Sequence, residues 1–233
     1  MNVDVAQVSE AGPRHNNEDA VLALILGEGR AILAVADGLG GHFGGQEASR
    51  IAVDSIKLAG FGSGLQQVLL DAHSNILKVA RSNDSLRGMA TTATAVEIDG
   101  ATLRGAHCGD TRCVVQRGSG IRKLTIEHTE ARRLFDSGKL TKSEFLNYPR
   151  RNILVQALGT EKVPIIDNFD FTLQAGDKIL LTSDGVHEKL LIREMLQICL
   201  KSVSVEEIAN EIREAIILRS PEDNFSVVVA RVY

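Results

Sequence analysis

The chain has 233 residues, of which 44% are hydrophobic and 24% charged. This composition is typical of a globular protein with a sizeable core and argues against a disordered or fibrous chain. Lys and Arg number 26 against 30 for Asp and Glu, so the formal net charge is -4. A mildly acidic chain has no general attraction for nucleic acid or for an anionic membrane, and we expect neither as a partner.

Targeting and redox signals are weak. No basic segment followed by an apolar stretch opens the chain, and the apolar runs are too short to span a bilayer, so we expect a cytoplasmic protein. The three cysteines lack the spacing of a zinc site and favour reduced, buried thiols. Cys108 and Cys113 could face each other across a hairpin.

Apolar runs separated by turn residues predict strands. In chain order these are residues 3–8, 20–26, 31–36, 91–98, 102–108, 112–116, 153–158, 166–173, 178–182 and 225–232. Asp99-Gly100 predicts a hairpin between residues 91–98 and 102–108, and Gly109-Asp110 predicts a second one with residues 112–116.

Apolar residues at helical spacing predict helices at residues 46–58, 65–80, 192–200 and 204–218. Residues 130–152 are polar and charged, and they predict an exposed insertion that is helical in pieces. The order of elements is not the alternation of a parallel sheet. It predicts an α+β fold in one domain of residues 1–233, with a central antiparallel β-sandwich flanked on both faces by helix pairs.

Four aspartates stand at the ends of predicted strands: Asp37, Asp110, Asp184 and Asp223. Glycine follows Asp37 and Asp184, where it permits a sharp turn and leaves its carbonyl open to a ligand. Clustered carboxylates with a backbone carbonyl are suited to Mg²⁺ or Mn²⁺. Taken singly, each Asp-Gly pair is better explained as a turn former.

Arg14 lies in a polar loop that also contains Glu18 and Asp19. Taken alone, a guanidinium beside acids is more simply a salt-bridge partner than a phosphate clamp. Glu18 and Asp19 could hold water molecules around a metal ion. The glycine-rich residues 38–41 lack the lysine and the spacing of a nucleotide-binding loop.

Together these motifs resemble the metal-dependent (type 2C, PPM) Ser/Thr protein phosphatases over essentially the whole chain, and the compact bacterial members most of all. The matching motifs are Arg14-x-x-Asn17-Glu18-Asp19, Asp37-Gly38-Leu39-Gly40-Gly41-His42, Met89-Ala90-Thr91-Thr92, Gly109-Asp110-Thr111-Arg112, Arg151-Asn152 with Leu158-Gly159, Ser183-Asp184-Gly185, and Asp223-Asn224-Phe225-Ser226-Val227-Val228.

The resemblance implies a site for two Mn²⁺ or Mg²⁺ ions. Asp37 would bridge both ions, and the Gly38 carbonyl would ligate one of them. Asp184 and Asp223 would ligate the other ion. Asp110 would correspond to the acid of a weaker third metal site of the bacterial members.

The resemblance also implies roles beside the ions. Arg14 would bind the substrate phosphate, and Asp19 would hold metal-bound water, with Glu18 close by in a second shell. Leu39 stands where many eukaryotic members have a histidine, so the general acid is either His42 or a metal-bound water. Residues 129–152 would form a flap beside the site.

The implied reaction is hydrolysis of phosphoserine and phosphothreonine on proteins by a metal-bridging hydroxide, without a phosphoenzyme. In agreement, none of the cysteines has an arginine six positions on, as a thiol-dependent phosphatase would require. The implied partners are phosphorylated proteins and a cognate Ser/Thr kinase or its targets, and we expect a monomer.

Two alternatives stay open. One is a non-catalytic binding module, because a fold does not guarantee a function. The other is a metal-dependent phosphoesterase that acts on small phosphorylated molecules. The intact set of five residues weighs against the first alternative, namely Arg14, Asp19, Asp37, Asp184 and Asp223.

Overall fold

The computed structural model describes residues 1–27, 29–40 and 44–233. The strands in these residues are Val3–Glu10 (β1), Asp19–Gly27 (β2), Arg30–Leu39 (β3), Ala90–Thr91 (β4), Ala93–Asp99 (β5), Thr102–Cys108 (β6), Arg112–Arg117 (β7), Gly120–Lys123 (β8), Asp167–Thr172 (β9), Lys178–Thr182 (β10) and Phe225–Val232 (β11). The α-helices are Gly44–Ala59 (α1), Leu65–Ser82 (α2), Glu130–Asp136 (α3), Lys142–Leu146 (α4), Asp184–His187 (α5), Ile192–Lys201 (α6) and Val205–Ile217 (α7). Within the described residues, none of these helices has the length and hydrophobicity that a membrane span requires.

The strands form two antiparallel sheets. The first has the order β1-β11-β10-β7-β8, and the second has the order β2-β3-β5-β6-β9, with β4 paired to the end of β3. Helices α6 and α7 pack on the first sheet, and α1 and α2 pack on the second. This arrangement confirms the predicted α+β sandwich with helices on both faces.

Strand β3 shows why the fold needs four layers. Successive side chains of a strand point to opposite faces. Leu33 and Val35 enter the core between the two sheets, whereas Ile32 and Ala34 enter the core under α1 and α2. A third core, which contains Ile212, lies between the first sheet and helices α6 and α7. An apolar run buried on both faces is therefore what a strand in an inner layer requires.

The predicted hairpin at Gly109-Asp110 is wrong. Strand β6 belongs to the second sheet and β7 to the first, so the chain crosses between the sheets at this turn. Cys108 and Cys113 consequently lie on strands of different sheets. Both thiols are free and buried, as is that of Cys199.

The predicted strand at residues 153–158 is also wrong. In the described chain this segment makes only isolated bridges, from Leu154 to Thr129 and from Leu158 to Thr91. The two bridges have different partners and neither is extended by a neighbouring pair, so the segment forms no ladder.

The strand registers bring several chain segments to one end of the sandwich. Asp19 at the start of β2 is opposite Asp37 near the end of β3. Thr182 at the end of β10 is opposite Arg112 of β7 and Val227 of β11. The aspartates next to these strand ends therefore share that end of the molecule: Asp19, Asp37, Asp110, Asp184 and Asp223.

Candidate active site

Asp37 is at the centre of this group. It faces Asp19 across the β2–β3 ladder, a pairing of like charges that destabilises a sheet when nothing neutralises it. Burial raises the pKa of Asp37 well above its ordinary value, and the charges of Asp19, Asp184 and Asp110 raise it further. The protonated carboxyl of Asp37 donates a hydrogen bond to the carboxylate of Asp184, which begins α5 directly after the first sheet's β10.

The neighbouring carboxyls show the same electrostatic pattern. Burial raises the pKa of Asp19 to about 7, and repulsion from Asp184 and Asp223 adds to it. Burial and the charge of Asp184 raise the pKa of Asp110 to about 7 as well. The pKa of Asp184 is raised by burial and by its acidic neighbours Glu188 and Asp223. These carboxyls are close enough to repel one another.

Arg14 lies at the exposed rim of the group. Its Nη2 donates a hydrogen bond of 2.8 Å to Asp223 Oδ2, and its Nε donates to the Glu222 carbonyl at 3.1 Å. The guanidinium is therefore beside a predicted metal ligand while the side chain stays open to solvent.

Ser183 and Ser226 position the Asp19 carboxyl through a chain of two hydrogen bonds. Ser183 donates its hydroxyl proton to Asp19 Oδ2 at 2.7 Å, and the backbone N–H of Ser226 donates to Ser183 Oγ at 2.9 Å. Asp19 Oδ1 is buried and has no hydrogen-bond partner among the described residues. A carboxylate oxygen in that position is available to a ligand.

Asn224 is a positioning residue that the sequence analysis did not identify. Its Oδ1 accepts a hydrogen bond of 2.8 Å from the Glu18 backbone N–H. Its Nδ2 donates to the carbonyls of Ala11 and Asn16 at 2.7 and 2.9 Å. Asn224 thus fastens the loop of Arg14 and Glu18 to the start of β11. Its place directly after Asp223 in a matching motif was the available signal.

The threonine pair of the 89–92 motif holds the backbone of Asp37. Thr92 Oγ1 accepts from the Asp37 N–H at 3.1 Å, and the Thr92 N–H donates to the Asp37 carbonyl at 2.9 Å. The Thr91 hydroxyl donates to the same carbonyl at 2.9 Å. Thr91 of β4 and the adjacent Thr92 therefore fix the backbone of Asp37 near the end of β3.

Glycines allow the backbone segments of the site to meet. A Cβ at Gly38 would lie 2.2 Å from the Gly45 carbonyl oxygen, and a Cβ at Gly185 would lie 2.0 Å from that of Asn224. Gly12 has a φ of +58°, and its Cβ would lie 2.4 Å from the Asp223 carbonyl oxygen. Any side chain at these positions would push apart the segments that carry the acids.

A cavity of about 340 Å³ opens beside Asp110 and Asp184 and is lined on its other side by residues of the 129–152 segment. Glu127, in its wall, is a buried acid of a different kind. Burial alone would raise its pKa, but Arg112 and Lys123, at 2.7 and 2.5 Å, lower the pKa of Glu127 to about 2.

His187, to which the sequence analysis gave no role, lines the cavity, and burial lowers its pKa well below the ordinary value. His42, the candidate general acid, lies outside the described residues.

The described residues fit hydrated divalent cations. They contain no three His, Cys, Asp or Glu side chains arranged around a single ion. They do contain mutually repelling carboxyls and the partnerless oxygen Asp19 Oδ1. Mg²⁺ is usually held by one or two carboxylates and keeps several of its waters. The donor set and its surplus of negative charge are what such ions need.

Residues 9–215 match the family model of protein phosphatase 2C. The chain therefore belongs to the protein phosphatase 2C family, and it is an enzyme of that class.

Its relatives are bacterial. It is 30% identical to the serine/threonine phosphatase stp of Listeria innocua over 227 residues, which cover 93% of this chain and 90% of that protein. The crystal structure of the Mycobacterium tuberculosis serine/threonine phosphatase PstP/Ppp has a TM-score of 0.89 at 30% identity, with 100% of this chain and 99% of that chain covered. A structure of the PstP catalytic domain in complex with two manganese ions has a TM-score of 0.83 at 31% identity, with 99% of each chain covered.

Proposed function

We propose that this chain hydrolyses phosphoserine and phosphothreonine on proteins, with two Mn²⁺ or Mg²⁺ ions as cofactors and without a phosphoenzyme. The observation that carries the proposal is the group of buried and half-buried aspartates at one end of the sandwich, whose charges raise one another's pKa values. Relatives named serine/threonine phosphatases, one of them solved with two manganese ions, support it.

Asp37, the Gly38 carbonyl, Asp184 and Asp223 would hold the two ions, and Asp110 would hold a weaker third. When bound, such ions neutralise the phosphate dianion and lower the pKa of a coordinated water, so that hydrolysis proceeds at neutral pH. The chain itself supplies the negative charge that concentrates the cations.

The remaining residues act on the substrate and on water. Arg14, exposed at the rim, would bind two phosphate oxygens through its planar guanidinium and so orient the ester. Asp19 would orient the attacking water through Oδ1, because Ser183 already occupies its other oxygen. Glu18 would support that water. His42 is the candidate proton donor to the leaving serine or threonine oxygen.

The surroundings of the site carry further proposals. Residues 129–152 would form a flap that contacts the protein substrate, within one phosphatase domain of residues 1–233. A cognate Ser/Thr kinase, a monomeric state and a cytoplasmic location stay predictions from the sequence.

The test compares substrates and metals. A phosphothreonine peptide, a phosphoserine peptide, a phosphotyrosine peptide and a sugar phosphate are each incubated with the protein, with and without Mn²⁺. We expect Mn²⁺-dependent release of phosphate, fastest from the serine and threonine peptides. Metal-independent hydrolysis would contradict the proposal, and a faster rate on the sugar phosphate would favour the small-molecule phosphoesterase.

A further inference from the structure

Three consecutive residues, 126 to 128, make hydrogen bonds to the turn that contains Asp110 and to the residues beside it. The Ile126 carbonyl lies 3.1 Å from Nε2 of the buried His107 ring, next to the turn. Glu127 binds Arg112, which begins the strand after the turn, at 2.7 Å. His128 binds Gly109, directly before Asp110. The turn is therefore held from both sides by one short segment.

His128 is bonded to Gly109 twice. Its backbone N–H donates to the Gly109 carbonyl at 2.6 Å, and its ring Nδ1 accepts from the Gly109 N–H at 3.2 Å. Because Nδ1 accepts a hydrogen bond from an amide, the ring proton is on Nε2. That nitrogen lies 3.0 Å from Asp167 Oδ2 and donates to it. Asp167 thereby fixes both the tautomer and the orientation of the ring.

The same residue is joined to the 129–152 segment. The His128 carbonyl accepts from the Val155 N–H at 2.8 Å, where the chain returns from that segment. The Glu130 N–H donates to the Ile153 carbonyl at 2.8 Å, which ties the outgoing and returning ends together. His128 is thus the junction between the base of this segment and the Asp110 turn.

We propose that His128, anchored by Asp167, is a positioning residue that holds the Gly109-Asp110 turn so that the Asp110 carboxylate stays in the cation-binding group. The turn needs such support because Gly109, with a φ of +112°, makes the chain cross between the two sheets there. Without the imidazole acceptor, the Gly109 amide loses its partner in a poorly hydrated place. The inference rests on the proposed function in one respect, the role of Asp110 as a ligand.

The experiment uses His128→Leu, which removes both ring hydrogen bonds, and His128→Asn, whose Oδ1 can take the place of Nδ1. Asp167→Ala, at a side chain that is 48% exposed, removes the anchor and leaves the core intact. The matched control is His73→Leu, because His73 Nδ1 also accepts from a glycine amide, that of Gly159, at 3.1 Å.

Two measurements read the result. Amide hydrogen exchange at Gly109 is followed by NMR in the metal-free protein, and Mn²⁺ binding is followed by calorimetry. Loss of one buried hydrogen bond should speed Gly109 exchange about tenfold in His128→Leu. Asp167→Ala should do so to a smaller extent, and His128→Asn should restore most of the protection. The weakest Mn²⁺ binding event should lose affinity in the same order.

The control separates positioning from general stability. His73→Leu should speed exchange at Gly159 while Gly109 exchange and Mn²⁺ binding stay as in the wild type. Unchanged Gly109 exchange in His128→Leu, or an equal loss of Mn²⁺ affinity in His73→Leu, would overturn the inference. If the wild-type protein shows no phosphatase activity, the proposed function fails, while Gly109 exchange still decides whether His128 holds the turn.

Discussion

An aspartate lies next to each end of strand β10, Asp177 buried and Asp184 half-buried, and the surroundings of the two differ. Asp177, directly before the strand, accepts two hydrogen bonds from the Arg117 guanidinium, at 2.8 and 2.6 Å, and a third from the Gln174 backbone. Asp184, after the strand, has other acids as its charged neighbours, among them Asp37.

This difference in charged neighbours distinguishes an acid with a structural role from one that is suited to bind a metal ion. The chain supplies a cation for Asp177, as it does for Glu127 through Arg112 and Lys123. Around Asp184 it collects further carboxyls at a cost in repulsion. In sequence the two aspartates look alike, since both flank the same apolar strand. Their neighbours across the fold decide what each one does.

The largest expected effect is that of Asp37→Asn, a substitution in the group of acids around Asp184. The amide keeps the shape of the side chain but removes the charge that would bridge two cations. We expect kcat for a phosphothreonine peptide with Mn²⁺ to fall about 10³-fold or more. Because Asp37 is already driven towards its protonated form, thermal stability of the metal-free protein should not fall.

The matched control for that variant is Asp177→Asn. It breaks the pair with Arg117 at the other end of β10, so the free energy of unfolding should fall by about 1–3 kcal/mol. Phosphatase activity below the melting temperature should be retained. Loss of activity in Asp177→Asn, or wild-type activity in Asp37→Asn, would contradict the assignment of Asp177 as a structural acid and of Asp37 as a metal ligand.

A smaller effect is expected from Arg14→Ala. The variant removes a guanidinium beside Asp223 that would orient the phosphate, and kcat/KM should fall about 10- to 100-fold. Arg14→Lys, which keeps the charge but not the planar fork, should fall between the wild type and the alanine variant. Steady-state kinetics at saturating Mn²⁺ measures both. Equal rates for all three proteins would exclude Arg14 from phosphate binding.

The pH dependence of stability sharpens the comparison further. The pKa values of Asp19 and Asp110 are about 7 in the folded chain against 3.8 for an ordinary aspartate. The folded state therefore binds more protons than the unfolded state, so the stability of the metal-free protein is greatest below about pH 4 for these groups and declines as pH rises through about 7. We expect the melting temperature to drop by about 5 °C or more between pH 5 and pH 8.

The Glu127 carboxyl should not itself titrate between pH 5 and pH 8. Its folded pKa of about 2 is below the ordinary 4.5, so the stability it provides is lost only as pH falls from about 4.5 towards 2. Asp110→Asn should flatten the decline between pH 5 and 8, whereas Glu127→Gln should change its slope much less, through the small contribution of the Glu127 charge to the raised pKa of Asp110. A melting temperature that rises across this range would contradict the assignment of buried, repelling acids.

The smallest effect is expected at the 129–152 segment. Leu146 of α4 is 58% exposed at the mouth of the cavity beside Asp184. Leu146→Ser should raise KM for phosphopeptides by about fivefold or less and leave hydrolysis of p-nitrophenyl phosphate unchanged. An equal effect on both substrates would show that Leu146 acts on the chemistry and not on docking.

Much of the fold was accessible from sequence because antiparallel strands alternate in direction. Strands that precede an acid and strands that follow one can then meet at one edge, which is where Asp37 and Asp223 lie. The apolar run of β3 and the helical periodicity of α1 and α2 were equally direct signals, since both reflect burial of particular faces.

Other features depended on long-range pairing and could not be predicted locally. Gly109-Asp110 marks a reversal, but a turn signal does not say which sheet receives the next strand. Residues 153–158 have the composition of a strand without a neighbour to pair with. The short strand β8 was missed because polar residues dominate it. His128 and Asn224 act through hydrogen bonds to segments far along the chain. The motif that contains Asn224 marks its position, but a single sequence does not reveal the partners of either residue.

The close glycine contacts of the site bear on how catalytic activity is inferred for homologues in this family. The site is assembled by backbone segments in van der Waals contact, with Gly12 against Asp223 and Gly185 against Asn224. One methyl group at either glycine would separate the segments while leaving each acidic side chain in the sequence. A pseudophosphatase can therefore arise by a single glycine replacement, and an inventory of intact aspartates is not enough to infer that a homologue is active.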